Sequence, residues 1–282
     1  MLFRSRRYLQ RMRMVQTQKI LMPGASEPMN QELKQTQDYA LLVAKERPEG
    51  GRELQLDNTG FTMEMKMGDT TMLKFDSKSD PKEDGSNPLA PVLRKMVAAP
   101  PFKFLLAADG KVDKVEGVKE LLDSLGSEGP PEVQMMLKGM LSEDNFKQMG
   151  ALPQGLPEKP VKLGERWPVK MDVALGPLGG ISIHMQYTLK GWEQRDGRKC
   201  ALLEHTGTIL TKPGGEKAMF NMNITGGSTS GKTWFDPELG MMVESNGTQT
   251  MSLKLEVNAQ TITTQITQMI TNKLVEVTTP AK

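Results

Sequence analysis

Two blocks of period-two alternation, separated by a block at helical spacing, limit what this chain can fold into. Phe61, Met63, Met65 and Met67 alternate with Thr62, Glu64 and Lys66, and far along the chain Ile262, Thr264, Ile266, Gln268 and Ile270 share one side of a second run. Successive side chains of a strand point to opposite sides, so each run is a strand with one wet face. A weaker stripe, Met29, Gln31, Leu33, Gln35, Gln37, Tyr39, Leu41 and Val43, precedes the first run. Between the blocks the period changes: Leu89, Val92, Leu93, Met96 and Val97 fall at helical spacing and stop at Pro100-Pro101. Sheet, helices, sheet is the order, without alternating β and α units, and it predicts a predominantly antiparallel α+β architecture with a helical insertion in the middle of the chain.

Four regions follow from these shifts: an N-terminal β half over 1–87, a helical segment packing on the sheet over 88–149, a Pro/Gly-rich connection over 150–166, and a C-terminal antiparallel β half over 167–282. Pro23 to Pro28 and Glu49-Gly50-Gly51 turn the first half, and Asp76 to Asn87 reads as an exposed polar linker. That linker fails as a calcium loop, because Lys82 stands where an oxygen ligand is needed. Phe102 to Ala107 is a short strand. Val115, Val118, Leu121, Leu122 and Leu125 predict a second helix closed by Gly126. Pro131 opens a third, with Val133, Met136, Leu137 and Met140 inward, and a fourth covers Glu143 to Met149 with Ser142 as its cap. In the last region Arg195-Asp196-Gly197-Arg198, Lys212-Pro213-Gly214-Gly215 and Asn258-Ala259-Gln260 mark turns.

Residues Gly226 to Thr233 spell G-G-S-T-S-G-K-T, a full match to the phosphate-binding pattern G-x-x-x-x-G-K-[ST]. That loop works when a helix begins at its Lys, presenting backbone N–H groups and the helix dipole to phosphate. Here Trp234-Phe235-Asp236-Pro237-Glu238-Leu239-Gly240 follows. Pro237 disfavours a helical conformation at Asp236, and Asp-Pro-Glu-Leu-Gly is turn chemistry. The segment therefore predicts a strand ending at Gly226-Gly227, a bend over Ser228 to Gly231, and a hairpin beginning at Lys232-Thr233. Nucleotide binding through Lys232 and Thr233 stays as the alternative reading.

Chemistry-bearing residues are sparse. Lys and Arg total 36 against 34 Asp and Glu, so no strong electrostatic partner is implied, and the Arg4, Arg6, Arg7, Arg11 and Arg13 cluster reads as a solvated terminus and polar strand face rather than a nucleic-acid site. The lone Cys200 rules out an internal disulfide, and its setting among Ala201, Leu202 and Leu203 marks it as a small buried residue. His184 and His205 do not make a zinc site, and no acid pair, triad or nucleophile elbow is present. No catalytic, cofactor-binding or metal-binding residue is assigned. No run approaches a membrane span, and Met1-Leu2-Phe3 leads directly into Arg-rich sequence without the apolar stretch of an export leader.

The segment Lys232 to Ser245, together with Lys162 to Trp167, Tyr187 to Gly191 and Gly197-Arg198-Lys199, resembles an uncharacterised family of β-rich bacterial proteins, many carrying export signals. The resemblance implies a periplasmic or secreted protein whose leader is absent from this chain, with a cytoplasmic location the alternative, and it carries no activity or catalytic residues. The Trp-Phe-Asp hairpin is also similar to one in periplasmic lipoprotein-carrier proteins. That second similarity implies a strongly curved sheet with helices plugging its concave side and acyl chains as ligands.

Methionine supplies the remaining signal, with 22 residues against 8 phenylalanines. Met63, Met65, Met67, Met135, Met136, Met140, Met185, Met219 and Met222 fall on the inferred inner faces, and flexible thioethers suit surfaces that accept varied apolar partners. The expected function is a non-enzymatic envelope protein holding a lipid or another apolar small molecule between curved sheet and helices. A structural or protein-interaction β module is the competing class, beside the nucleotide-binding alternative.

Overall fold

In a computed structural model, residues 5–85, 87–108, 110–125, 141–150, 155–157, 159–174, 179–212, 221–257 and 260–279 are described. The expected third helix at Pro131, the Lys212–Gly215 turn beyond Lys212, and Met135, Met136, Met140 and Met219 lie outside them. Twelve strands form one sheet: β1 (Arg6–Leu21), β2 (Met29–Glu46), β3 (Arg52–Met67), β4 (Thr70–Asp76), β5 (Phe102–Leu106), β6 (Val112–Glu116), β7 (Arg166–Ala174), β8 (Gly180–Arg195), β9 (Arg198–Lys212), β10 (Asn221–Asp236), β11 (Met241–Val257) and β12 (Gln260–Thr278). The α-helices among the described residues are α1 (Ala90–Ala98), α2 (Val118–Leu125) and α3 (Glu143–Gly150).

The order across the sheet is β6-β5-β3-β2-β1-β12-β11-β10-β9-β8-β7, with β4 beside the far end of β3. Every described pairing is antiparallel. The first and last strands meet in the middle, Met14 opposite Ile270, so the chain starts at the centre, runs to one edge, crosses over and returns from the other. Strand occupies 67% of the described residues and helix 11%: the sheet is predominantly antiparallel as expected, and its small helical share makes α+β only a loose description.

Strand length explains the curvature. β1 has 16 residues and β12 has 19, well beyond the usual five or six or so. Twist accumulates along each strand and between neighbours, so strands this long coil the sheet. Register shifts add to the coil between Leu9 and Gln10, Ile224 and Gly226, Trp234 and Phe235, and Leu189 and Gly191.

The helices pack on one end of the sheet. Val118, Leu121 and Leu125 of α2, Val92 of α1 and Phe146 of α3 join Tyr8, Leu41, Leu54, Phe102 and Phe104 in the main core. The second helix begins at Val118, not at Val115 as its spacing suggested. Val115 is a buried residue of β6, and Gly117 (φ 99°) breaks the chain between them. Ser142 caps α3 as expected, its hydroxyl accepting from Asn145 N at 3.3 Å. β9 is buried on both sides at its start: Cys200 and Leu202 belong to the main core, while Ala201 and Leu203 face a second cluster with Trp167, Tyr187 and Leu189.

Candidate functional site

The inner faces of β1 and β12 to β7 line up in rungs. Met14 pairs with Ile270, Ile270 with Gly247, Gly247 with Gly231, Gly231 with His205, His205 with Tyr187, and Tyr187 with Trp167. One rung therefore carries an aliphatic pair, two glycines and then three rings. Trp167 and Tyr187 stack at 6.0 Å and 19°, and His205 leans on Tyr187 at 5.0 Å. The indole of Trp167 donates to Gly155 O at 2.9 Å, which pins the segment before β7 over Tyr187.

The glycines make the rung fit. A Cβ on Gly231 would lie 2.4 Å from Asn246 O and 2.6 Å from His205 Cε1, and one on Gly227 would lie 2.6 Å from Ile209 O. Neighbouring backbone and the imidazole occupy the space that a side chain would take on the inside of the bend. The G-G-S-T-S-G-K-T segment is thus the innermost part of a coiled strand. It does not bend into a new strand, as its composition suggested: β10 runs unbroken from Asn221 to Asp236. From Ser228 to Phe235 it is paired on both sides, with β9 and with β11, so its backbone donors serve the ladder and do not form a phosphate cradle. Lys232 pairs with Glu204 at 3.1 Å. The phosphate-binding alternative is excluded by this geometry.

Between the rungs lies a cavity of about 290 Å³. Met171, Ile183, Met185, Leu203, Phe235 and Met241 supply apolar walls, Leu156 covers it, and Gln10, His205, Thr229, Thr233, Ser245 and Asn272 supply uncharged polar groups. Several of these are satisfied internally: Gln10 Oε1 accepts from Tyr39 at 2.8 Å and Asn272 Nδ2 donates to Ser245 Oγ at 3.2 Å. His205 is the exception, with Nδ1 buried and without a partner. Burial holds its imidazole below the ordinary 6.5 and pushes the Tyr187 phenol up, so both are neutral at neutral pH.

Of the methionines expected inside, Met185 lines this cavity; Met63, Met65, Met67 and Met222 are half-buried elsewhere on the sheet. Met171, Met241 and Met242, also in the lining, were not singled out by the sequence, because β7 is short and the β10–β11 register shift obscures the period. Among the described residues no helix side chain lines the cavity, which lies under β7 to β12 and β1.

One Ser–His–Asp group escaped the sequence reading. Ser182 Oγ lies 3.0 Å from His184 Nε2 and donates to Asp172 Oδ1 at 2.6 Å. The i, i+2 spacing on β8 was its only signal; the Asp172–Ser182 register was not visible. The order is wrong for a nucleophile, since the serine proton goes to the carboxylate, which binds Ser182 and not the imidazole it would have to orient. The Ser182 hydroxyl and then Lys212 hold Asp172 down at about 2. Cys200 is fully buried, and burial pushes its thiol up, away from the reactive thiolate. Among the described residues no group of three His, Cys, Asp or Glu side chains could hold a metal ion, and no helix is long and apolar enough to cross a membrane.

Fold and cavity together define an open, coiled antiparallel sheet with a largely apolar pocket whose described lining holds no Asp, Glu, Lys or Arg. The chain belongs to a family of unknown function, DUF6263, whose profile matches residues 50–261. No curated protein matches the sequence. Among solved structures, one of lipovitellin concerning its lipid–protein interactions is similar in fold, with a TM-score of 0.52 at 10% identity over 98% of this chain. The present chain spans only 26% of that one. A DUF1329 family protein from Desulfovibrio piger aligns over 96% of this chain and 86% of its own, at 10% identity, with a TM-score of 0.16.

Proposed function

We propose that this protein is a non-enzymatic binder of an apolar small molecule or lipid chain, held on the inner side of its coiled sheet. The carrying observation is the 290 Å³ cavity walled by Met171, Ile183, Met185, Leu203, Phe235 and Met241. Its volume is about twice that of the ~150 Å³ apolar cavity that takes up benzene, and it reaches the lower end, roughly 300 Å³, of small-molecule sites. Thioether walls adapt to ligands of different shape. The likeness to the lipovitellin fold supports the same reading. So does the use of the Gly-rich strand for curvature, which removes the one sequence motif that argued for phosphate chemistry. The envelope location rests on the resemblance to exported bacterial proteins and is tested by fractionating cells that express the gene from its native locus.

Native mass spectrometry of the purified full chain tests the binding. Adducts of lipid mass that organic extraction removes are expected, and Met185→Trp, which fills the cavity, is expected to weaken their return at least tenfold while the protein still unfolds cooperatively. A wild-type protein that takes up no apolar ligand after extraction would end this reading.

A further inference from the structure

We propose that the corner of the molecule formed by Lys162, Leu163, Trp192 and Lys199 docks on an anionic lipid surface. These residues do not line the cavity, and the assignment goes beyond the apolar-ligand reading above. Of the three tryptophans, Trp167 and Trp234 are buried, whereas Trp192 is 52% exposed. Leu163, at 69%, is the most exposed large apolar side chain among the described residues. The backbone brings the two close. Gly164 N donates to Leu189 O at 2.8 Å and Leu189 N to Glu165 O at 3.2 Å, so the turn from Lys162 to Glu165 continues the β7–β8 ladder past Arg166. Leu189 stands opposite Leu203 and Trp192 opposite Ala201, two ladder steps apart, or about 7 Å along the strand. Ala201 belongs to the cluster of Trp167 and Leu189, so the Trp192 indole lies on that side of the sheet, where Leu156 and Val161 cover the cluster.

The charge of this corner is one-sided. Lys199 Nζ sits 5.3 Å from the centre of the Trp192 ring, and among the described residues no carboxylate holds it or Lys162 in an ion pair. Lys190, the bulged residue between Leu189 and Gly191, is shared with Glu204 at 3.7 Å. The acid of the turn, Glu165, spends Oε2 on the backbone: Lys162 N donates to it at 2.8 Å. An indole with a cation at its ring has one apolar and one wet side, which suits the boundary between water and acyl chains. Each lysine near an anionic surface strengthens binding about fivefold. A protein partner is the poorer match, because two apolar side chains do not make the centre of an interface of roughly 800 Å² a side. Leu156 packs on the same cluster and lines the cavity, so docking by this corner sets the cover of the cavity close to the lipid.

Co-sedimentation of the purified full chain with vesicles of equal phosphatidylglycerol and phosphatidylcholine, and of phosphatidylcholine alone, tests this. Binding to the anionic vesicles is expected at low salt and should be lost in about 1 M salt, where charges are screened beyond about 3 Å. Tryptophan emission should shift to the blue on binding, because Trp192 is the indole left in water. Leu163→Ser with Trp192→Ser should weaken binding about tenfold, and Lys162→Gln with Lys199→Gln about twentyfold, both still unfolding cooperatively. Trp192→Phe should keep most of the binding and lose the blue shift. Wild type left in solution by both vesicles, its emission unmoved, would overturn the proposal and give the corner to an acidic protein surface. Equal binding to the two vesicles would overturn it too, as would binding undiminished in either folded double variant. So would an equal loss in Met22→Ser, an exposed methionine between β1 and β2.

Discussion

Asn145 on α3 exchanges two hydrogen bonds with Ala174 at the end of β7: its Nδ2 donates to the carbonyl at 3.0 Å, and its Oδ1 accepts from the backbone N–H at 3.1 Å. The side chain thereby mimics a neighbouring strand at one edge of the sheet. One residue further, Phe146 packs on Phe102 of β5 at 4.6 Å, next to the opposite edge strand β6. A single turn of helix thus ties the two edges of an open sheet together, which blunts an edge that would otherwise offer unpaired backbone groups.

Replacing Asn145 with Ala takes away the partners of the Ala174 N–H and carbonyl, backbone groups at the exposed end of β7. A loss of about 2 kcal/mol is expected from two such groups, read as a lowered urea midpoint, and the amide of Ala174 should exchange faster with solvent. Unchanged exchange at Ala174 would show that the edge is held by something else.

Gly231 and Lys232 are adjacent, yet their variants should behave in opposite ways. A Cβ at Gly231 meets Asn246 O at 2.4 Å, a backbone atom that cannot step aside. Gly231→Ala should cost about 1–3 kcal/mol as overpacking. Lys232 is half exposed and its pair with Glu204 is a surface one, so Lys232→Ala should change stability by less than about 1 kcal/mol. A phosphate-binding loop would show the reverse emphasis in nucleotide binding. Thermal melts of both variants, with and without ATP, separate the two accounts, and an ATP-dependent shift lost in Lys232→Ala would restore the rejected one.

Much of the sheet was legible because it is carried by local pattern. Met63, Met65 and Met67 share one face, as do Ile262 to Ile270, and the Asp-Pro-Glu-Leu-Gly turn joins β10 to β11, each from residues that are neighbours in sequence. What escaped depends on distant pairing. The encounter of β1 with β12 and the rung that brings His205 opposite Gly231 and Tyr187 follow from register across several strands and their bulges. A bulge shifts the period by one without any consistent residue signature, so the cavity's Met241 and Met242 were hidden. Val115 misled for a simpler reason: three residues before Val118 is helical spacing, and only Gly117 marks the break.

The stability of the protein should depend on pH through His205. Burial lowers its folded-state value below the ordinary 6.5, so the unfolded chain binds the proton more readily. The stabilisation is complete above about 6.5 and is lost as pH falls from there through the folded value. Denaturation midpoints measured between pH 7.5 and 5 should decline, and His205→Phe should flatten this part of the profile.

Gly155 and Tyr187 set the cover of the cavity. Gly155 has φ 86°, and a Cβ there would lie 2.6 Å from the Tyr187 ring. Its carbonyl takes the Trp167 indole bond, and Leu156 beside it lines the cavity. Gly155→Ala therefore combines an unfavourable left-handed conformation with a collision against a ring stacked between Trp167 and His205. The cover should lift, weakening the indole hydrogen bond and exposing Trp167. Tryptophan emission should shift to the red, and bound ligand should leave faster, while Trp167→Phe alone, which removes the bond and trims the indole to a phenyl ring, should cost more than the about 1 kcal/mol of the hydrogen bond and still hold its ligand. Equal release rates in Gly155→Ala and wild type would mean that ligand enters by the open end of the sheet and not beneath Leu156.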